Sequence, residues 1–328
     1  MLLLVGAACT GDDEQEEAAG AKEKAQAPDP ECLASDDIPA DVDANRPAIA
    51  IKVENDPASR PQSGLEKADV VFEEVVEGGI TRFMAIYHCS KSTRVGPIRS
   101  ARFDDPKIAL PFTRVLAFSG SNSIVGRELK QRDMQTLVEG MKGTAFFRIP
   151  PGSPSVHSVF AETEKLRDFA SEKAPPPTPG VFSIGALPNK AKDAKSVKIN
   201  FHEDSTIEYR WKKGAWQRFE AGTPFLAKGA GPIAVPNVLI QEVRVDNSTK
   251  IVDVEGNPSP DIKLEGTGRA VLFRDGSAVE GEWAIDKETK PAEFTTKNGE
   301  PFAFADGPIW VELVPSKKGN VKGSFSFK

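Results

Sequence analysis

The twenty residues from Asp69 to His88, DVVFEEVVEGGITRFMAIYH, decide the fold. Two runs rich in β-branched and aromatic residues, Asp69 to Glu77 and Ile80 to His88, flank Gly78-Gly79. A tight reversal needs positive φ, which glycine adopts freely, so the spacing predicts a β-hairpin. In the second run Arg82, Met84, Ile86 and His88 share one face, and Thr81, Phe83, Ala85 and Tyr87 the other. In the first run Glu73 and Glu77 share a face, with Glu74 opposite.

Outward from the hairpin, Pro47 to Val53 (PAIAIKV) reads as a buried strand. Val95 to Ile98 is a turn. Ser100 could cap the segment after it, and a helix there would put Arg99 and Arg102 on one face, able to grip one anion. Arg114 to Ser119 is a strand, Ser119-Gly120-Ser121-Asn122 a turn, and Ser123 to Arg132 a helix. A strand–turn–helix unit presents free backbone N–H groups to anions, although no GxxxxGK[ST] motif is present. Ala145 to Ile149 adds a strand, and Phe160 to Ser171 reads as helical. Interleaved strands and helices predict a mixed α/β N-terminal domain over 46–172.

Pro175 to Gly180 (PPPTPG) is stiff, extended punctuation, which places a Pro-rich linker at 173–190. From 191 to 328 short strands alternate with turn pairs, Lys213-Gly214, Asp246-Asn247, Asp275-Gly276 and Asn298-Gly299. That pattern predicts a mostly antiparallel β C-terminal domain. The expected class is therefore α+β. Trp211, Trp216, Trp283 and Trp310 all fall in this half and read as core, or as a carbohydrate-stacking surface.

Charge is unevenly spread. Between Gly78 and Phe103 stand Arg82, Lys91, Arg94, Arg99 and Arg102, and no acid. Such a run binds something anionic or sits in a dense salt-bridge network. Residues 10–45 hold twelve acids against Lys22 and Lys24, a net of −10; the chain carries −6, so the remainder carries +4. The acidic segment reads as a disordered tether. Ahead of it, the apolar run Leu2 to Ala8 and Cys9 read as a lipoprotein signal remnant (1–9), with Cys9 lipidated. This predicts a lipid-anchored protein on the extracytoplasmic face of the cell membrane. No segment offers the roughly 20 apolar residues of a spanning helix. Cys32 and Cys89 remain as a possible disulfide or as two free thiols. The basic run is too short, and the body's net charge too small, to suggest nucleic acid.

Catalytic signals are few. There is no GxSxG, and only His88, His157 and His202 could act as a base, so no Ser-His-Asp triad is assigned. His157, in a loop, is a candidate anion ligand or a structural residue. Asp69, Glu73 and Glu77 could hold a metal, do acid–base work or pair with arginines. No Cys/His zinc spacing occurs, and the reading includes neither a metal nor a cofactor. The candidate ligand-binding set is Arg82, Arg99, Ser100, Arg102, Ser119, Gly120, Ser121, Asn122 and His157.

The segments Arg60-Pro61-Gln62-Ser63-Gly64-Leu65, Ala68-Asp69-Val70-Val71-Phe72-Glu73, Glu77-Gly78-Gly79-Ile80-Thr81-Arg82 and Val95-Gly96-Pro97-Ile98-Arg99-Ser100-Ala101-Arg102 resemble the YerB-like bacterial lipoproteins. Asn237-Val238 and Trp310-Val311-Glu312-Leu313-Val314-Pro315 resemble motifs of that family's C-terminal domain. The chain departs from the family at His157-Ser158, where His-Asn is usual, and at Asp306-Gly307-Pro308, where Pro-Gly is usual. The resemblance implies an exported, membrane-anchored protein of two domains, both of unknown function. The leading expectation is a membrane lipoprotein whose arginine-rich N-terminal site binds an anionic envelope polymer, a lipid-linked phosphate or a partner protein. The alternatives are an enzyme acting on lipid-linked phosphate or cell-wall polymer, and a scaffold whose arginines are structural.

Overall fold

The computed structural model describes Leu2 and residues 30–141, 143, 145–170, 174–188, 191–203, 205–253 and 255–328. Cys9 and most of the acidic segment lie outside the described residues.

Strands β1 (Ile49–Glu54), β2 (Val70–Val75) and β3 (Thr81–Tyr87) are buried along their whole length. β2 and β3 pair antiparallel, Val70 opposite Ile86 and Val75 opposite Thr81, and β1 lies antiparallel to β3. Gly78 and Gly79, at φ 73° and 75°, reverse the chain as the sequence requires. β4 (Val115–Phe118) and β5 (Gln135–Val138) extend the sheet in parallel beyond β1. β6 (Phe146–Arg148) and β7 (Val159–Ala161) form a separate two-stranded hairpin.

The second half begins with β8 (Lys192–Asp193). β9 (Ser196–His202), β10 (Ser205–Lys212), β11 (Ala215–Glu220) and β12 (Thr223–Pro224) then form an antiparallel meander. The short strands β13 (Leu226–Ala227), β14 (Gly231–Pro232) and β15 (Ala234–Val235) lead into the long β16 (Asn237–Val252). β17 (Pro258–Lys263), β18 (Gly266–Arg274), β19 (Ser277–Ile285), β20 (Glu293–Thr296), β21 (Ile309–Pro315) and β22 (Ser324–Phe327) complete the chain.

One twelve-stranded sheet crosses both halves in the order β20-β19-β18-β16-β21-β2-β3-β1-β4-β5, with β17 and β8 on its margins. The join is β21, parallel to β2 on one side and to β16 on the other. A six-stranded sheet, β12-β11-β10-β9-β22 with β15 beside β11, packs on one face. There Val71, Phe83 and Trp310 meet Phe201, Trp216 and Phe225. On the opposite face Phe72, Val311 and Leu313 meet Phe112, Phe182 and Phe304. Trp216, Trp283 and Trp310 are all buried core residues.

The mixed α/β N-terminal domain is corrected by these elements. The described residues hold three α-helices, α1 (Asp105–Ala109), α2 (Ser123–Gln131) and α3 (Thr163–Arg167), and the protein is largely β. The helical stretch expected over Phe160 to Ser171 fails because Phe160 belongs to β7, which leaves only one turn, α3, behind it. Lys213-Gly214 and Asp275-Gly276 do make left-handed hairpin turns. Asp246-Asn247 does not turn, since β16 runs through it against β17.

Cys32 and Cys89 form a disulfide with a Cα–Cα separation of 5.6 Å. Leu33 and Ala34 enter the main core and Ala44 packs by the disulfide, so parts of the stretch read as tether are packed, with Asp36 to Asp41 exposed between them.

Candidate functional site

Parallel pairing sets the carboxyl ends of β1 and β4 side by side, Ala50 opposite Leu116. The segment through Ile98, antiparallel to the end of β1 at Val53, runs on into residues that touch the loop leaving β4. Ser119 N donates to Arg99 O at 3.0 Å, and Ala101 N to Gly120 O at 2.9 Å. Residues 99–102 are irregular, not helical. Arg82 and Arg102 converge instead on Ser100 O, to which their Nη1 groups donate at 3.4 and 3.3 Å.

Carboxylates hold these arginines in place. Arg99 Nε pairs with Glu54, and Arg82 lies 3.5 Å from the other Glu54 oxygen. Arg102 Nε donates to Glu77 at 2.5 Å, and Ser259 Oγ of β17 to the second Glu77 oxygen at 2.5 Å. Burial works to raise the Glu77 carboxyl, but the Arg102 guanidinium and the Ser259 hydroxyl hold it below its ordinary range. Beside them the buried Lys52 pairs with Glu74 and with Asp105, the latter at 2.7 Å. Burial depresses the Lys52 ammonium despite Asp105.

Arg82 is poorly satisfied. Its side chain is 4% exposed, and its Nε, 3.5 Å from Glu54 Oε1, has an ion-pair partner but no hydrogen bond among the described residues. Burial first, then the charges of Arg102 and Arg99 against the opposing pull of Glu54, lower its pKa to about 10. A buried charged donor with so long a contact to its acceptor costs free energy. The side chains of Arg99 and Arg102 are 25% and 20% exposed, so the cluster opens to solvent on their side.

Eight of the nine residues expected to bind ligand, Arg82, Arg99, Ser100, Arg102 and Ser119 to Asn122, are thus brought together. Asn122 has another task there. Its Oδ1 caps α2, accepting from Ile124 N and Val125 N at 3.0 and 2.9 Å. His157 lies in the β6–β7 loop, and no hydrogen bond among the described residues links it to the arginines. Asp69, Glu73 and Glu77 do not converge. Asp69 accepts from His88 N, Ser90 N and Ser90 Oγ near the disulfide. Glu73 binds Arg218 in the core, and only Glu77 joins the arginines. Among the described residues no group of three acidic, His or Cys side chains forms a metal site.

Lys52, Glu54, Asp105 and Ser259 also belong to the cluster but escaped the sequence reading. The available signal was a lysine inside the apolar run PAIAIKV, because a charge in a buried strand needs a buried partner.

The distal half of β16 with β17 reaches from the second half to this end of the sheet. Asp104 Oδ2 accepts from Ile262 N at 2.9 Å, and Lys107 Nζ meets Asp104 at 2.5 Å and Asp261 at 2.9 Å. Burial outweighs the Lys107 ammonium and pushes Asp104 up to about 6. A folded pKa above the unfolded value contributes stability fully present below the ordinary carboxyl range and lost as pH rises through about 6. Asp104→Asn keeps an acceptor for Ile262 N and removes this titration. Urea unfolding of both proteins at pH 4.5 and 7.5 is expected to show wild type losing ~2 kcal/mol relative to the variant across that interval. Parallel pH profiles would refute the assignment.

A shared sheet, closed at one end by an arginine–carboxylate cluster to which both halves contribute, defines a β-rich protein whose two halves share the core on each face of that sheet. Residues 35–176 match the family model described as "Protein of unknown function (DUF3048) N-terminal domain", and residues 197–311 match "Protein of unknown function (DUF3048) C-terminal domain". With both domains present, the chain belongs to this family, and the YerB-like resemblance is correct. It is 29% identical over 281 residues to "Putative lipoprotein YerB" of Bacillus subtilis (strain 168), covering 82% of each chain. Its fold is similar to a crystal structure of YerB protein from Bacillus subtilis, with TM-score 0.70, 25% identity and coverage of 86% of this chain and 94% of that one.

Proposed function

We propose that this protein is a membrane-anchored lipoprotein that binds a phosphate-bearing ligand of the cell envelope through Arg82, Arg99 and Arg102. The observation that carries this reading is Arg82, a guanidinium buried beside two others whose Nε has only a 3.5 Å ion pair to Glu54 and no hydrogen bond. An anion entering from the Arg99–Arg102 side supplies a closer acceptor, and a planar guanidinium fork suits phosphate oxygens. Glu54 and Glu77 pre-align the guanidiniums, so little side-chain ordering is left for binding. The N-terminus of α2, next to the cluster, adds favourable dipole charge. Anchoring through Cys9 would keep the site at the membrane surface, where phosphate-bearing polymers and lipids are concentrated.

Titration with inorganic pyrophosphate tests this. Wild type is expected to gain thermal stability on addition of ligand. Arg99→Gln keeps a donor for Glu54 but loses the fork, and is expected to bind about tenfold more weakly while remaining folded. No shift in wild type, or an equal shift in the variant, would overturn the reading.

A further inference from the structure

The β6–β7 hairpin lies beside the arginine end of the sheet. Glu139, just past β5, donates its N–H to Phe118 O at the end of β4, and its carboxylate takes Arg148 of β6 at 2.7 and 3.0 Å. Arg148 Nη1 turns outward to Ser153 O, Ser155 O and Ser158 Oγ, each at 2.9 Å. One guanidinium therefore fixes the whole loop from Ile149 to Ser158.

What this fixed loop displays is apolar. Phe147, Ile149 and Val156 are 39%, 40% and 50% exposed. Phe147 is backed by Phe160, ring centroids 6.2 Å apart. Between Ile149 and Ser158 (IPPGSPSVHS) there is no Asp, Glu, Lys or Arg. Exposed apolar side chains normally scatter singly, and a cluster held on a rigid support marks a contact surface.

We propose that this hairpin docks on a lipid bilayer, Phe147, Ile149 and Val156 entering the boundary between headgroups and acyl chains while the neighbouring arginines meet a lipid phosphate. The inference rests on the anion-site reading above and names the source of the phosphate as a lipid headgroup. Two observations favour a bilayer. The loop is free of formal charge, as a surface entering the apolar boundary must be. The disulfide-bonded start of the packed chain lies by Cys89, past the end of β3, whereas the hairpin lies toward the carboxyl ends of β1, β4 and β5. Between Cys9 and Pro30 the sequence has enough residues to reach roughly 70 Å if extended, several times the ~20 Å length of a six-residue strand. An anchored chain can therefore still turn this end to the membrane.

The test uses the full chain with Cys9→Ser, so that no lipid is attached, and vesicles of phosphatidylcholine alone or mixed with phosphatidylglycerol. Wild type is expected to co-sediment with the mixed vesicles. The double variant Phe147→Ser/Ile149→Ser is expected to bind them roughly tenfold or more weakly, having lost two large apolar side chains from the contact, with its pyrophosphate response unchanged. Equal vesicle binding by the double variant would overturn the docking surface. So would a variant that alters self-association in the absence of vesicles while binding them normally, since the patch would then serve a second copy of the chain. Hairpin-dependent vesicle binding without any pyrophosphate response in wild type would sink the anion site and leave the docking surface standing.

Discussion

Arg218→Ala is expected to cost the protein about 3–5 kcal/mol, the usual consequence of leaving one member of a buried ion pair alone. Arg218, on β11, is fully buried. Its Nη2 donates to both oxygens of Glu73 at 2.9 and 2.8 Å, joining the six-stranded sheet to the centre of the large one. The rings of Phe225, Phe83 and Trp310 surround the guanidinium at 4.3, 5.5 and 5.7 Å. Removing it leaves the Glu73 carboxylate with Thr81 Oγ1 at 2.6 Å and Asn55 Nδ2 at 3.3 Å, and no cation. Glu312 faces Glu73 across the β2–β21 pairing. Burial first, and then the Glu73 charge, raise its carboxyl well above the ordinary range. That shift favours the neutral acid, whose Oε1 accepts from Tyr209 Oη at 2.5 Å. Urea unfolding should separate these roles. Glu73→Gln/Arg218→Met, with both charges gone, should recover much of the loss seen in Arg218→Ala. Glu312→Gln, which swaps one neutral group for another, should cost under about 1 kcal/mol. Arg218→Ala within experimental error of wild type would show that the pair does not hold the sheets together.

Cys32→Ser/Cys89→Ser should produce the next largest effect. The bond closes a sequence separation of 57 residues. Chain-entropy reasoning gives ~4 kcal/mol for a loop of that length, with 2–4 kcal/mol typical of measured cases. The bond also pins the turn after β3, where Asp69 gathers His88 N, Ser90 N and Ser90 Oγ. Comparing urea midpoints with and without a thiol reductant checks this. Wild type should fall to the level of the variant on reduction, and the variant should not respond.

What the sequence showed of this structure was local. Gly78-Gly79 between β-rich runs located the β2–β3 hairpin, and Asp275-Gly276 the β18–β19 turn, because positive φ is a property of single residues. The arginines were legible as a cluster for the same reason, being close along the chain and separated by one turn. Their partners were not. Glu54 and Lys52 lie on β1, and Ser259 arrives from β17 of the other half. Nor could the β2–β21 pairing be read. Both strands are buried throughout, and a fully buried strand carries no alternation to betray its neighbour. The helical reading of Phe160 to Ser171 failed at a boundary, where the apolar residues that suggested a helix were divided between β7 and α3.

The position of β21 has a consequence for how the molecule comes into being. Chains are made from the N-terminus, yet the strand that joins β2 to β16 follows both of them in sequence. Until residues 309–315 emerge, β2 and β16 each present an unpaired edge, and such edges pair promiscuously. The two sequence families mapped onto this chain are therefore not two folding events. A chain halted at the proline-rich segment would expose an open sheet, a sticky intermediate rather than a finished first half.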